Sequence, residues 1–303
     1  MHRTPRYPDR VFLTDVSPRD GFQFESKPIP TARKLETIRA LAAAGLPRIQ
    51  AASFVHPKLV PQMADAEDVI AALTDLRGTE LSVLALNMRG VERAAKSGVA
   101  FVDLSIATNE THSRDNANMT VREGVAEAER MIAASLETGM STQLGLQTVF
   151  GYSEPGDTPI DLVVELAGRF CGSGVAEFSL ADTTGLANPR LIAEVVGAVS
   201  EVTNGVPVVL HLHDTRGLGL ANVAAALQCG VSRFDASAGG LGGCPFIPGA
   251  TGNVVTEDVV YLLDSLGVAT GVDARAVAAV ARDLEEFLGR ELPGRVHGLP
   301  GFR

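Results

Sequence analysis

Eight times along this chain a short β-branched or apolar run is followed by a longer Ala-rich stretch of helical period, and no other feature constrains its fold as much. Parallel strands joined by crossover helices read this way. Strands are expected at Val11 to Asp15, Arg48 to Ala52, Leu81 to Leu86, Phe101 to Ile106, Ser141 to Gln147, Glu177 to Asp182, Pro207 to His213 and Arg233 to Ser237. Helices are expected after them at Thr31 to Ala44, Gln62 to Leu73, Arg89 to Ser97, Val121 to Glu137, Pro159 to Cys171, Pro189 to Val202, Leu218 to Cys229 and Thr256 to Leu266, with an extra C-terminal helix near Ala274 to Leu288. Thr120 with Glu123 reads as a capping box, Asn188-Pro189 as a cap and first helical residue, and Thr31 as a start signal. Gly45, Gly98, Gly139, Gly174, Gly230 and Gly267 follow helices, where a left-handed residue ends them at little cost.

Eight such units predict an α/β fold, a closed (β/α)8 TIM barrel with one extra C-terminal helix, formed by residues 1–303 as a single domain. A doubly wound open sheet fits the local periodicity equally well but usually uses fewer units. In a barrel the chemistry sits where the strands end and the loops after them begin, so polar residues at those points carry the functional reading.

The formal net charge of -10 offers no general attraction for nucleic-acid phosphates or an anionic membrane, so no nucleic-acid partner is expected and an anionic substrate needs a local Arg or metal. No apolar run is long enough to span a bilayer. Three widely spaced cysteines, Cys171, Cys229 and Cys244, fit neither a disulfide framework nor a Cys-rich zinc site. With no apolar signal segment ahead of the first strand, the chain is expected in a reducing cytoplasm. Cys171 and Cys229 fall on helix faces and are expected to be buried and inert.

His211-Leu212-His213-Asp214 closes the seventh strand. Alternation along a strand points both imidazoles to one face, which is ligand spacing. Val16-Ser17-Pro18-Arg19-Asp20-Gly21 ends the first strand and brings a carboxylate and a guanidinium to the same rim; an Asp before Gly is otherwise an ordinary turn former. Asp20 can supply an oxygen ligand and Arg19 a fixed positive charge for a developing oxyanion. Gly239-Gly240-Leu241-Gly242-Gly243-Cys244-Pro245 is neither a P-loop nor a dinucleotide fingerprint, and reads as a lid over residues 239–253 that bears a thiol. Ser179, Asp182 and Thr183 end the sixth strand, with capping an equal reading for Asp182. Asn87, His56 and His112 complete a polar ring, although surface loop positions explain the two histidines as well.

Taken together these residues resemble the hydroxymethylglutaryl-CoA lyases, within the barrel metallolyases that also include isopropylmalate and homocitrate synthases. The resemblance runs along nearly the whole chain. Its most specific parts are Ser17 to Gln23, Ser53-Phe54-Val55 with Pro57-Lys58 and Val60 to Met63, Ser179 to Thr183, His211 to Thr215, and Gly239 to Asn253 with Thr256-Glu257-Asp258. It implies that Asp20, His211, His213 and Asn253 hold Mg2+ or Mn2+, a mixed nitrogen and oxygen set suited to a hard cation. It implies Arg19, Asp20, His211 and Cys244 as catalytic groups and an acyl-CoA or hydroxy-acid substrate contacted by Gln23, Gln50, Ser53, Asn87, Ser179, Asp182 and Thr183. The implied reaction is a retro-Claisen cleavage of a 3-hydroxy-3-methylglutaryl thioester to acetyl-CoA and acetoacetate, in a homo-oligomer of two or more copies.

The chain departs from that pattern at several positions. Gln50 stands where the lyases carry a catalytic Glu, and an amide does not titrate. Phe24 replaces a usual Asn, Ser26 a usual Lys, and Phe150 to Pro155 replaces a cysteine motif. Three readings follow: a hydroxymethylglutaryl-CoA lyase, a lyase or aldolase for another branched acyl-CoA or hydroxy acid, and a non-catalytic barrel.

Overall fold

The computed structural model describes residues 7–243 and 252–302. Eight parallel strands close into a barrel in chain order: β1 Phe12–Asp15, β2 Arg48–Ser53, β3 Glu80–Ala85, β4 Phe101–Ala107, β5 Ser141–Gln147, β6 Glu177–Ala181, β7 Val208–His211 and β8 Arg233–Ala236. Pairing of β1 with β8, from Phe12 beside Arg233 to Asp15 beside Ala236, completes the circle and excludes the open sheet. The helices are α1 Thr31–Ala43, α2 Ala66–Ala71, α3 Met88–Ser97, α4 Glu110–Ala117, α5 Val121–Glu137, α6 Ile160–Phe170, α7 Pro189–Ser200, α8 Gly219–Gln228, α9 Thr256–Ser265 and α10 Ala274–Leu288. No helix among the described residues is long and apolar enough to cross a membrane.

Burial follows from the alternation. Strand residues such as Leu13, Ile49, Val83, Leu144, Phe178, Leu210 and Phe234 face the helices and are buried beside Ile38, Leu41, Val163, Ile192, Val223 and Val259. The capping chemistry is realised: Thr120 and Glu123 exchange both bonds of a capping box, and Asn188 accepts from Arg190 N and Leu191 N ahead of Pro189. Two expectations are corrected and one helix is added. Gln62 to Leu73 is not one helix: Gln62 lies ahead of α2, its side chain tied to an earlier loop by accepting from Ile29 N and donating to the carbonyls of Glu25 and Lys27. The chain makes a 3-10 turn at Pro61–Met63 before α2. α4 was not expected, since ETHSRDNA has no apolar stripe and begins on the Asn109 cap. Cys229 is exposed rather than buried, and Cys171 is partly buried with its thiol donating to Thr203 O.

The inside of the barrel is polar at its floor. Arg48 reaches from β2 across to Glu177 on β6, with Arg233 of β8 donating to the other Glu177 oxygen at 3.1 Å. The Arg48 guanidinium lies 3.8 Å from the Phe101 ring centroid and 5.2 Å from that of Phe12. Above this layer the carboxyl-end loops surround a cavity of about 410 Å3.

Candidate active site

After β1 the chain makes a tight turn over Ser17–Gly21. The Val16 carbonyl accepts from three successive amides, Arg19, Asp20 and Gly21, at 2.7 to 3.3 Å. Buried Asp15 anchors the turn: it accepts from Ser17 N at 2.9 Å and from Thr256 Oγ1 at 2.7 Å. Gly21 is required where it stands, because a Cβ there would lie 2.8 Å from Leu241 Cβ. The turn sets Arg19 and Asp20 into the cavity, both nearly buried.

His211 is the last residue of β7, and His213 follows in a short antiparallel bridge to Asn253. Residues 252–255 lie along β7 and β8 at their carboxyl ends: Asp214 N donates to Gly252 O at 2.8 Å, Val254 N to Leu212 O at 3.0 Å, and Ser237 N to Val254 O at 2.9 Å. This pairing sets Asn253 beside the histidines, where its Nδ2 donates to Asp20 Oδ2 at 2.8 Å and to Leu241 O at 3.0 Å. Gly242 allows the approach, with φ +112 and a notional Cβ only 2.4 Å from Asn253 Nδ2.

The two Nε2 atoms of His211 and His213 are 3.2 Å apart, and one donor atom each from Asp20, His211 and His213 lies within 4.8 Å of the others. Asp235 on β8 accepts from His211 Nδ1 at 3.2 Å, which turns His211 Nε2 toward His213. Burial works to lower the His211 pKa, but the hydrogen bond and charge of Asp235 outweigh it and hold it above the usual histidine value. Burial and the His211 charge push His213 down to about 3, so it offers a lone pair. Burial opposes ionisation of Asp20 as well, yet Arg19 and the two histidines hold its carboxyl below the usual range. Asn253 Oδ1 is buried with no hydrogen-bond partner. Two imidazole nitrogens and a carboxylate within 4.8 Å of one another fit a divalent cation, and the amide bonded to that carboxylate has an orphaned oxygen to add to the set.

The other expected residues divide. Gln23, Gln50, Ser179 and Thr183 line the same cavity. Gln23 donates to Asp20 Oδ1 at 3.3 Å, Gln50 accepts from Arg19 Nε, and Thr183 Oγ1 accepts from Thr148 N at 3.0 Å. Asn87, Ser53 and Asp182 are not brought to the cavity wall. Asn87 caps α3 by accepting from Gly90 N at 2.9 Å, and Ser53 is fully buried with its hydroxyl toward Leu84 O. Asp182 Oδ1 accepts from Leu186 N at 2.8 Å and Ala187 N at 3.0 Å, shaping the turn after β6. Its other oxygen is buried without a partner, and burial outweighs those bonds to push its pKa up to about 7. His56 sits in a loop, accepting from Lys58 N, whereas His112 is buried on α4 and lines the cavity with its Nε2 3.0 Å from Gln147 Oε1. Cys244 lies outside the described residues, as does most of the expected lid. Two cavity carboxylates escaped the reading, Asp103 and Asp235. Their signal was present, an Asp within an apolar strand at an inward register, in FVDLSIA and in RFDA.

The HMGL-like family profile matches residues 10–284. The hydroxymethylglutaryl-CoA lyase of Bacillus subtilis is 38% identical over 289 residues, covering 95% of this chain and 97% of that protein. The (R)-citramalyl-CoA lyase of Chloroflexus aurantiacus is also 38% identical, covering 95% and 94%. The structure of an HMG-CoA lyase from Acinetobacter baumannii in complex with coenzyme A and 3-methylmalate superposes with a TM-score of 0.90 at 35% identity, covering 96% of this chain and 95% of that one. The chain therefore belongs to the HMGL-like family, a carbon–carbon lyase on a closed (β/α)8 barrel.

Proposed function

We propose that this lyase cleaves a 3-hydroxy-3-methylglutaryl-CoA-like thioester, breaking the bond between the tertiary carbinol carbon and the thioester methylene. The observation that carries the reading is the convergence of Asp20, His211 and His213 beside Arg19 in one cavity, with the Asn253 side chain bonded to Asp20. Asp20, His211, His213 and Asn253 would hold Mg2+ or Mn2+, which when bound would supply Lewis acidity toward the substrate hydroxyl and oxygen. Asp20 or His211 takes the hydroxyl proton. The electron pair left on that oxygen forms the ketone as the carbon–carbon bond breaks, and the released pair becomes the thioester enolate. Arg19 donates to the thioester oxygen where that charge grows. Cys244 returns one proton to the enolate carbon, so the substrate loses and gains one proton overall. Gln23, Ser179 and Thr183 orient the substrate at the wall.

A second reading has its own support. Gln50 departs from the hydroxymethylglutaryl-CoA pattern, and the Chloroflexus citramalyl-CoA lyase is as similar as the Bacillus enzyme. Citramalyl-CoA carries the same tertiary carbinol with a carboxylate arm one methylene shorter, so the same groups serve both. Incubation with Mn2+ and each thioester separates them: acetoacetate marks the first reading and pyruvate the second. No product from either thioester at stoichiometric protein, with cation binding demonstrated by calorimetry, refutes both.

A further inference from the structure

The cavity holds a carboxylate to which the reaction above gives no task. Asp103, mid-way along β4, registers with Leu84 on β3 and Gln143 on β5, is 4% exposed and lines the cavity. Its Oδ2 accepts from Ser82 Oγ at 2.7 Å and from Gln50 Nε2. The same Gln50 side chain accepts from Arg19 Nε through Oε1, and Arg19 NH1 donates to Asp20. A continuous line of side chains thus runs from β4 through β2 to the rim turn: Asp103, Gln50, Arg19, Asp20.

The direction of the Gln50 amide in this line is dictated by its neighbours. An ionised carboxylate only accepts and a guanidinium only donates, so the amide must turn its NH2 to Asp103 and its oxygen to Arg19. Both bonds are charge-assisted, and the amide dipole lies between a cation and an anion in its favourable sense. Were Asp103 apolar, the Gln50 NH2 would lose its partner and the bond from Arg19 Nε alone would hold the amide in the line.

We infer that Asp103 is a positioning residue: acting through the Gln50 amide, it sets Arg19 against the thioester, and so restores from the fourth strand the carboxylate that position 50 lacks. This rests on the lyase reading, in which Arg19 faces the developing oxyanion. Burial pushes Asp103 up to about 6 against the bonds from Gln50 and Ser82, with Arg48 below it and Asp235 across the barrel as the charged groups that face it. The relay is therefore weaker in acid, where Asp103 is neutral.

The test uses the full chain loaded with Mn2+ for kinetics and with Mg2+ for nuclear magnetic resonance of arginine-15N-labelled protein. The Arg19 Nε–H signal is assigned by its absence in Arg19→Lys. In the wild type this signal is protected from exchange; Asp103→Asn, which leaves Gln50 Nε2 only a neutral and weaker acceptor, should broaden it. The same variant should cut kcat on the order of tenfold to a hundredfold, with KM and calorimetric cation affinity little changed, because misplacing one oriented group slows chemistry more than binding. Gln50→Leu, which keeps Asp103 and cuts the bridge, should reproduce both effects and serves if Asp103→Asn fails to fold. Gln50→Glu combined with Asp103→Asn, which moves the carboxylate back to the second strand, should recover most of both. A protected Arg19 signal in Asp103→Asn or Gln50→Leu, or a double variant no better than the single, overturns the proposal. A wild type with a protected Arg19 signal but no turnover of either thioester instead overturns the lyase substrates and leaves the relay in place.

Discussion

Replacing Arg48 by Met tests how the barrel floor is held together. Arg48 and Glu177 are both nearly buried, with side-chain exposures of 7% and 3%. The substitution preserves much of the volume but leaves Glu177 facing only Arg233, at 3.1 Å. Removing one partner of a buried ion pair costs about 3–5 kcal/mol, because the remaining charge keeps its desolvation penalty without its compensation. Arg233 keeps half of that compensation, which sets the expectation near the lower limit, about 3 kcal/mol. The bond to Glu80 adds little, since that carboxylate is 40% exposed and such a pair is worth at most about 1 kcal/mol. Converting both partners, Arg48→Met with Glu177→Met, removes the buried charge itself and should return about 2 kcal/mol of the loss. Burial already raises the Glu177 pKa, and losing Arg48 raises it further. The cost of Arg48→Met should then grow as pH rises and Glu177 must ionise inside the barrel, and shrink in acid where it is neutral in both states. Urea unfolding followed by far-ultraviolet circular dichroism measures this, the chain having no tryptophan to report by fluorescence. A loss for Arg48→Met below about 1 kcal/mol, or a double variant that costs the sum of the singles, refutes the argument.

His213→Ala should weaken Mn2+ binding by at least about tenfold in titration calorimetry, since it removes a ligand outright; unchanged affinity contradicts the donor set. In the wild type, binding should also weaken as pH falls, because a proton competes for His211, whose pKa is raised. Asp182→Asn keeps an oxygen for Leu186 N and Ala187 N while deleting a buried charge. Its folded pKa of about 7 lies above the ordinary 3.8, so the wild type is most stable in acid and loses stability as pH rises through that window. The variant should gain on the wild type by up to about 4 kcal/mol at about pH 8 and by little at about pH 4. A difference that does not change with pH sinks this account.

What the sequence discloses about this molecule depends on how local the cause is. β5 and α5 fall where their patterns predict, because each has an unbroken period and α5 a capping box of its own. α4 was invisible because only His112 and Ser113 are buried on it, and neither is apolar. The histidine pair is readable from its alternate spacing even though β7 stops at His211, two residues short of the expected end, and the rim turn from its Pro and Gly. Asn253 could be suggested only by resemblance, since its place depends on a bridge to His213 across forty residues of chain. Asn87 shows how a cap and a substrate contact call for the same side chain: it caps α3, as the amphipathic run behind it favours. The Gln50 substitution looked like a loss while only its own position was in view. The compensating partner lies two strands away, at Asp103.

Arg48 spans strands that stand opposite each other in a ring of eight, β2 to β6, with Phe12 and Phe101 on either side of it. The cavity above is therefore a blind well. Among the described residues the exposed Phe24 and Leu59 border its mouth, and both fragments of a molecule split inside it leave past that apolar lip.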